Sequence, residues 1–403
     1  MNPSFIQHAF GPNALICHKT EYKDSSIYLH VQTKPEKLVC PVCGSHHIVK
    51  YGYVERDFRS VPIGSKSVWL HMKVQKLKCK DCGEIHQEHL KFVTGHRWYT
   101  HKFANYVIDL LRMGTLKDVA SHLHISWDTV KDIHKNYLEN NYAYPDIRGV
   151  KNIGIDEFAV KKGHVYKTIV VDLDSGRIIY VGDGKGKDSL VKFWKKVKRQ
   201  NVNIEHIASD LSPAFTASIM ENAPKAIHVF DHFHVVKLMN EALDDIRREL
   251  WRDEKDLNKR NVIKGTRWLL LANGKDIFDS CHKNRLENAL KLNEPLTKAY
   301  YLKEDLREIW NQTDKAAAEA KLNDWIKQAQ DSGLKQLRKM AGTLMAYRSG
   351  ILAWYDCRIS NGKVEGINNK IKVMKRRAYG FRDDRYLELR LYGLHDATSA
   401  NVG

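Results

Sequence analysis

The stretch Ile153-Gly-Ile-Asp156-Glu-Phe determines how the central part of this chain folds. It is an apolar, strand-like run that leads into a carboxylate, and Ala208-Ser-Asp210-Leu-Ser has the same arrangement. The stretch Asn361-Gly-Lys-Val-Glu365-Gly-Ile-Asn-Asn-Lys-Ile-Lys places a third carboxylate near the start of a basic, helix-like run. Carboxylate oxygens suit Mg²⁺ or Mn²⁺, which bind through a few carboxylates together with substrate phosphate. The three stretches therefore predict a divalent-metal site that acts on phosphate.

The residues around Asp156 predict a mixed α/β layer, with three meandering strands followed by strands that alternate with helices. We predict strands at 153–160, 165–172, 177–182, 204–209 and 226–230, and helices at 188–199 and 213–222. Asp156 lies on the first strand, and Asp210 ends the fourth, which we expect to be its neighbour. Alternation places Glu157 on the opposite face of the strand from Asp156. Asp210 could instead cap the helix that follows it.

Composition favours a polyanionic partner. The chain has 403 residues, which predicts at least two domains, and its formal net charge is +18 with a pI of about 9.4. Lysine and arginine are spread along the whole chain, which favours a broad nucleic-acid surface over a membrane-binding patch. We see no signal peptide and no apolar run near the ~20 residues that span a bilayer, so we expect a cytoplasmic protein without a membrane partner.

Two cysteine pairs predict a structural zinc site. Each pair lies in a short turn, or knuckle: Cys40-Pro-Val-Cys43-Gly and Cys79-Lys-Asp-Cys82-Gly. The glycine after each pair suits the tight turn that aims backbone N–H groups at thiolates. Four thiolates make a closed tetrahedral zinc site. An alternating run that starts at Val68 predicts a strand leading into the second knuckle. Four nearby histidines could substitute as ligands, although the cysteines suffice: His46, His47, His86 and His89.

The next segment predicts a helix-turn-helix. We expect a helix within 100–113, a further helix at 116–123, a turn at 124–126 and a second helix of the pair at 127–137, with Ser126 as its cap. Small Ala120 would let the two helices cross closely. Helix pairs with this spacing also occur as plain packing units. If the pair binds DNA, the outward residues would meet the major groove and its phosphates: Trp127, Asp128, Thr129, Lys131 and Lys135.

Between Asp210 and Glu365, helical spacing at 235–260 and 286–349 predicts an all-helical insertion. Within it, Arg267 and Trp268 could stack a base or clamp a phosphate, although a core tryptophan is the simpler interpretation. After Glu365 the chain is strongly basic, and this position favours contact with the DNA backbone over a merely solvated face. The residues concerned are Lys370, Lys372, Arg376 and Arg377.

Together these motifs resemble bacterial insertion-sequence DDE transposases of the ISL (L-three) family, and the resemblance covers nearly the whole chain. It implies an RNase H-like core whose triad is Asp156, Asp210 and Glu365, with Mg²⁺ or Mn²⁺ as cofactor. Lys372, two helical turns after Glu365, matches a basic residue that DDE enzymes often place there. Asp231-His-Phe-His234 resembles an element of some DDE groups, which implies that His234 lies at the metal site or the scissile phosphate; a core or surface histidine is the alternative.

The predicted organisation is an α/β RNase H-like core with a helical insertion, preceded by a zinc-ribbon-like module and a helix-turn-helix domain. The predicted boundaries are 1–95 for the zinc module, 96–140 for the helix-turn-helix, 141–150 for a linker, 151–235 for the first part of the core, 236–350 for the insertion and 351–403 for the last part of the core with its basic tail.

The resemblance implies an enzyme that binds the terminal inverted repeats of an insertion sequence, cuts DNA at the element ends and joins the 3′-hydroxyl ends to target DNA. It also implies at least a dimer on DNA and a nucleoid-associated protein. No nucleophile motif of a tyrosine or serine recombinase is visible. Two alternatives remain: a non-catalytic DNA-binding regulator derived from a transposase, and an RNase H-like structure-specific nuclease.

Overall fold

The computed structural model of the chain describes residues 14–161, 163, 165–359 and 361–395. They belong to two compact units. The first unit contains the residues up to Ala143 together with those from Asp383 onward, and the second runs from Tyr144 to Arg382. Within the described part of the chain, no helix combines the length and apolar character needed to cross a membrane.

The first unit begins with a five-stranded sheet. Its strands are β1 (Leu15–Lys23), β2 (Ser26–Thr33), β3 (Ile48–Ile63), β4 (Lys66–Cys79) and β5 (Ile85–Gln87). They are ordered β1-β2-β4-β3, and β5 pairs with β4. Alternate residues of β4 are buried in an apolar cluster, as the alternation in its sequence predicts. Strand β4 ends at Cys79, so the prediction of a strand that leads into the second knuckle is confirmed.

Three helices follow the sheet: α1 (His101–Leu110), α2 (Leu116–Leu123) and α3 (Trp127–Tyr142). Helix α2 has the predicted bounds, and α3 continues to Tyr142 instead of ending at residue 137. Ser126 caps α3 by accepting a hydrogen bond from the backbone N–H of Thr129 at 3.1 Å, as predicted. The helices share an apolar core that includes Ala120.

The second unit contains a mixed sheet flanked by helices, which confirms the predicted α/β layer. Its strands are β6 (Asn152–Lys161), β7 (Val165–Asp172), β8 (Ile178–Asp183), β9 (His206–Ser209) and β10 (Ile227–Phe230), and its first helices are α4 (Val191–Arg199) and α5 (Pro213–Asn222). The sheet order is β10-β9-β6-β7-β8. Strands β6, β7 and β8 are antiparallel neighbours, whereas β9 runs parallel to β6 and β10 runs parallel to β9.

The residues from His232 to Tyr355 form helices and helical turns joined by short loops, and no strand, as the helical spacing predicts. The α-helices are α6 (His232–Asp253), α7 (Leu257–Gly265), α8 (Arg267–Leu271), α9 (Ser280–Leu292), α10 (Glu294–Arg307), α11 (Lys315–Asp331), α12 (Lys335–Ala346) and α13 (Arg348–Leu352). They enclose an apolar cluster around Trp325 that is separate from the cluster beneath the mixed sheet. Helix α14 (Gly362–Arg377) then packs against β6.

The end of the described chain groups with the first unit. The described residues from Asp383 onward belong to that unit, whereas the sequence analysis assigned 351–403 to the last part of the core with its basic tail. The described part of this segment contains α15 (Asp384–Tyr392), which packs against α3. This partnership depends on long-range contacts that helical periodicity does not reveal.

Candidate functional site

Asp156 and Asp210 lie side by side at neighbouring strands. Strands β6 and β9 pair in parallel, and the last pair in their register is Ile155 with Ser209. One residue further on, Asp156 and Asp210 therefore come next to each other. The predicted neighbourhood of these two strands is confirmed, and the reason is the ordinary parallel pairing of two short apolar runs.

Both carboxyl groups are poorly solvated. Burial raises the pKa of Asp156 to about 6, and the nearby charge of Asp210 acts in the same direction. Burial also raises the pKa of Asp210, and its buried Oδ1 has no hydrogen-bond partner. These two neighbouring acids include a buried oxygen that receives no hydrogen bond. A divalent cation would bind such carboxylate oxygens as ligands. The residues present therefore fit a metal such as Mg²⁺ or Mn²⁺.

His234 lies close to this acidic pair. It occupies the first turn of α6, where its Nδ1 is 3.3 Å from Oδ2 of Asp231, in an ion pair too poorly aligned for a hydrogen bond. The contact with Asp231 raises the pKa of His234, and the charges of Asp210 and Asp156 raise it further. A histidine that is more readily protonated can stabilise the negative charge of the carboxylates or of a phosphate.

Glu157 is also within electrostatic reach of the pair. Its backbone N–H donates to Oδ1 of Asp156 at 2.7 Å. Burial raises the pKa of Glu157, and the charge of Asp210 raises it as well. Strand alternation alone therefore does not keep Glu157 away from the acidic site.

Helix α14 is held tightly against β6. A Cβ atom on Gly154 would lie closer than 3.0 Å to both Val364 Cγ2 and Leu173 Cδ2, so only glycine permits this approach. Lys363 Nζ donates to the carbonyl oxygen of Leu173 at 2.5 Å. At the other end of the helix, Lys375 Nζ donates to the carbonyl oxygen of Ala159. These contacts fix the helix along the strand that carries Asp156.

The α14 residue in contact with Asp156 is Asn368, which the sequence analysis did not single out. Asn368 Nδ2 donates to Asp156 Oδ2 at 2.7 Å. The available signal was its position three residues after Glu365, because residues three apart lie on the same side of a helix. Its side chain is neutral and belongs to no familiar acid–base pattern, so nothing in the sequence favours it over Asn369.

Glu365 does not form a compact ligand group with the other two acids. It lies in the first turn of α14 and its side chain is exposed. Among the described residues, only the four knuckle cysteines form a group of three or more potential ligands whose atoms all lie within 4.8 Å of one another, so at least one of the distances among Asp156, Asp210 and Glu365 exceeds that value. At about 100° per residue, Glu365 lies about 60° around the helix from Asn368, at the edge of the face that contacts β6.

The four knuckle cysteines form a compact cluster. The Sγ atoms of Cys40 and Cys82 are 3.7 Å apart, and those of Cys43 and Cys79 are 3.6 Å apart. Tetrahedral zinc with Zn–S bonds of about 2.3 Å requires sulfur atoms about 3.8 Å apart. Backbone N–H groups, first that of Cys43, lower the pKa of the Cys40 thiol to about 6. Although the backbone N–H of Ser45 opposes it, hydrogen bonds with the thiols of Cys40 and Cys79 raise the pKa of Cys43 to about 12. The residues therefore fit a zinc ion.

Both knuckles use the same turn. Gly44 and Gly83 have φ values of 73° and 75°, a conformation that favours glycine. The backbone N–H of Gly44 donates to the carbonyl of Cys40 at 2.9 Å, and that of Gly83 donates to the carbonyl of Cys79 at 3.1 Å. The role predicted for the glycine after each cysteine pair agrees with this geometry.

Two of the residues predicted to bind DNA have a partner within the chain. Lys131 and Lys135 of α3 each place Nζ 2.9 Å from Asp383 Oδ2. Although burial opposes it, the backbone N–H of Tyr386 and the two ammonium groups hold the pKa of Asp383 well below its usual range. The other two candidates on this helix have no ion pair to hold them, since Trp127 is 55% exposed and the hydroxyl of Thr129 is hydrogen-bonded to that of the capping Ser126 at 2.9 Å.

The remaining candidates lie on two helices of the second unit. Arg267 and Trp268 begin α8, where the guanidinium of Arg267 lies 4.7 Å from the centroid of the Trp268 ring and 3.4 Å from Asp244. Trp268 is 73% exposed, so the interpretation as a core tryptophan is wrong. Among the described residues, no hydrogen bond, ion pair or ring contact joins this pair to the acidic site. The four basic residues of α14 are all exposed: Lys370, Lys372, Arg376 and Arg377.

Comparisons with known proteins agree with one another. Residues 153–391 match a family model described as transposase, and residues 36–82 match one described as the zinc finger of the transposases of IS204, IS1001, IS1096 and IS1165. The transposase for insertion sequence element IS1001 of Bordetella parapertussis is 34% identical over 369 residues, covering 91% of this chain and 90% of the relative. The transposase for IS1557 of Mycobacterium tuberculosis is 28% identical, covering 82% and 80%.

Among solved structures, the Drosophila P element transposase strand transfer complex is a distant match. Its TM-score is 0.42 at 12% identity, and the match covers 79% of this chain and 94% of that chain.

The family match across the α/β unit and the full-length relatives define the class: the protein is a transposase, an enzyme that cuts and joins DNA. Within that class, the chain belongs to the ISL3 family of insertion-sequence transposases.

Proposed function

We propose that this transposase cuts DNA at the ends of its insertion sequence and joins the resulting 3′-hydroxyl ends to target DNA, using Asp156, Asp210 and Glu365. The observation that carries the proposal is the adjacency of Asp156 and Asp210, with raised pKa values and an unpartnered buried oxygen. We assign the second unit to the RNase H-like class, and the order of an antiparallel meander followed by parallel strands supports this.

Each side chain then has a defined part. Asp156 and Asp210 hold the cation and must be ionised to do so. Glu365 completes the ligand set from the first turn of α14 when its exposed carboxylate turns toward them. Protonated His234 stabilises negative charge at the scissile phosphate. Mg²⁺ or Mn²⁺, when bound, stabilises the attacking and leaving oxygens of an in-line displacement, so no covalent enzyme–DNA bond is needed.

The other modules would recognise the DNA. The zinc site would hold the N-terminal sheet together, and α2 and α3 would act as a helix-turn-helix that reads the terminal inverted repeats through Trp127 and Thr129. The exposed Arg267–Trp268 pair suits stacking on an unpaired base. The basic side of α14 suits the phosphate backbone. Pairing two element ends requires at least a dimer of this chain.

The test is excision of a marker flanked by the element's own ends, with Mg²⁺ or Mn²⁺, using wild type, Asp156→Asn and Glu365→Gln. The matched control is Asp183→Asn, an exposed carboxylate on β8 of the same sheet. We expect both site variants to bind the ends and fail to excise, while the control excises normally. End binding without cleavage by the wild type would favour a non-catalytic regulator. Cleavage independent of the terminal repeats would favour a structure-specific nuclease.

A further inference from the structure

We propose that Asn368 is a positioning residue for the metal-binding carboxylate Asp156. This inference rests on the proposed function. Its basis is the 2.7 Å hydrogen bond from Asn368 Nδ2 to Asp156 Oδ2, which joins two side chains 212 residues apart in the chain. Through this contact a side chain of α14 reaches the acidic pair. Because the backbone N–H of Glu157 donates to the other oxygen of Asp156 at 2.7 Å, the two hydrogen bonds together orient the carboxylate.

The backbone of Asn368 has little freedom. One turn before it, Val364 is fully buried against Gly154 of β6. Nearly two turns after it, Lys375 donates to a carbonyl of the same strand. A side chain whose helix is fixed on both sides loses little further entropy when it forms its hydrogen bond, so the contact can hold a carboxylate in one orientation.

The chemistry of the amide suits this role better than that of a charged donor. A lysine at this position would neutralise Asp156 and compete with a cation for it. The amide N–H orients one carboxylate oxygen and leaves the negative charge in place. In addition, Asn368 Oδ1 is buried without a donor, as is Asp210 Oδ1. The site therefore has more acceptor oxygens than donors, and a cation would satisfy this excess.

The position of Glu365 does not depend on Asn368. The two residues are three positions apart on α14, and the first turn of that helix is held by the buried Val364 against Gly154 and by Lys363, which donates to the carbonyl oxygen of Leu173. Asn368 thus acts on the metal site through Asp156.

The test compares Asn368→Leu with Asn369→Leu in the full chain loaded with zinc. Leucine has a similar volume but offers no donor, and Asn369 is an exposed neighbour that accepts a hydrogen bond from Lys372. Mn²⁺ binding is measured directly by titration calorimetry or electron paramagnetic resonance, without DNA. We expect the Mn²⁺ dissociation constant to rise about 10- to 100-fold for Asn368→Leu and to stay at the wild-type value for Asn369→Leu.

Two further measurements keep the result interpretable. Thermal unfolding of each variant, together with Asn368→Ala, separates loss of positioning from loss of the fold. Asp156→Asn must abolish Mn²⁺ binding; if it binds Mn²⁺ like the wild type, the proposed function fails. If Asp156→Asn loses the ion while a folded Asn368→Leu binds it with wild-type affinity, the positioning role is wrong and the proposed function stands.

Discussion

Substitution of Gly154 by alanine tests the contact on which the active-site geometry depends. The added Cβ would lie closer than 3.0 Å to Val364 Cγ2 and to Leu173 Cδ2, and 3.1 Å from Asn361 Oδ1. Val364 and Leu173 are both buried, so neither side chain has room to turn away, and the overlap must be relieved by moving α14 away from β6. Overpacking of this kind costs about 1–3 kcal/mol.

The magnitude can be checked by thermal unfolding. A domain of this size loses about 2–4 °C in Tm for each kcal/mol, so Gly154→Ala should unfold several degrees below the wild type. Gly366→Ala is the matched control, because Gly366 lies within α14 with open space around it. Alanine there should stabilise the helix by about 0.5–1 kcal/mol.

A double variant shows whether the loss of stability in Gly154→Ala comes from steric overlap with Val364 or from a general effect of alanine at this position. Val364→Ala removes the methyl group that the new Cβ would meet, so the two substitutions together should cost at least about 0.5 kcal/mol less than their sum. We also expect Gly154→Ala to lose excision activity, because the displaced helix carries both Asn368 and Glu365. Wild-type unfolding and excision in Gly154→Ala would refute the close packing of α14 on β6.

Three further predictions concern charge, protonation and zinc. Asp383→Asn should free two lysines of α3 and so raise the affinity of the protein for the element ends. The slope of the logarithm of the binding constant against the logarithm of the salt concentration should become steeper by up to about 1.8. An unchanged affinity and an unchanged slope in fluorescence anisotropy would contradict this. Burial raises the pKa of Asp156 to about 6, so between about pH 4 and pH 6 the folded metal-free protein holds a proton that the unfolded chain has already lost. Its free energy of unfolding should therefore fall as the pH rises from about 4 to about 6. Denaturant titrations at several pH values should show a smaller fall for Asp156→Asn, and the excision rate should decline below about pH 6. We expect one zinc ion per chain, measured by elemental analysis. Cys43→Ser should lose it, whereas Cys281→Ser should keep it, because Cys281 is exposed and lies outside the cluster.

The secondary structure of the second unit was largely predictable from the sequence. The strand at 165–172 and the helix at 213–222 have the predicted bounds, because an apolar run between two turns and a proline at the helix start are local signals. The mixed sheet followed from the order of these elements. The position of α15 was not predictable, because its partnership with α3 is made by residues about 250 positions away.

The candidate site divides in the same way. The adjacency of Asp156 and Asp210 could be predicted, because two apolar runs that end in carboxylates pair in parallel. The contact of Asn368 with Asp156 could not, because helical spacing alone does not show which side of α14 meets the strand. That side is selected by the absence of a side chain at Gly154, which lets Val364 pack there.

The sequence by itself determined the zinc knuckles, the five strands of the mixed sheet and the family of this protein, because each depends on residues close together in the chain or on their order. The tertiary structure decided which α14 side chain contacts Asp156, where the carboxylate of Glu365 lies and which acid pairs with the lysines of α3. Those outcomes depend on packing and on charge pairs between distant residues. Such contacts form only when the chain has folded, and no period in the sequence encodes them.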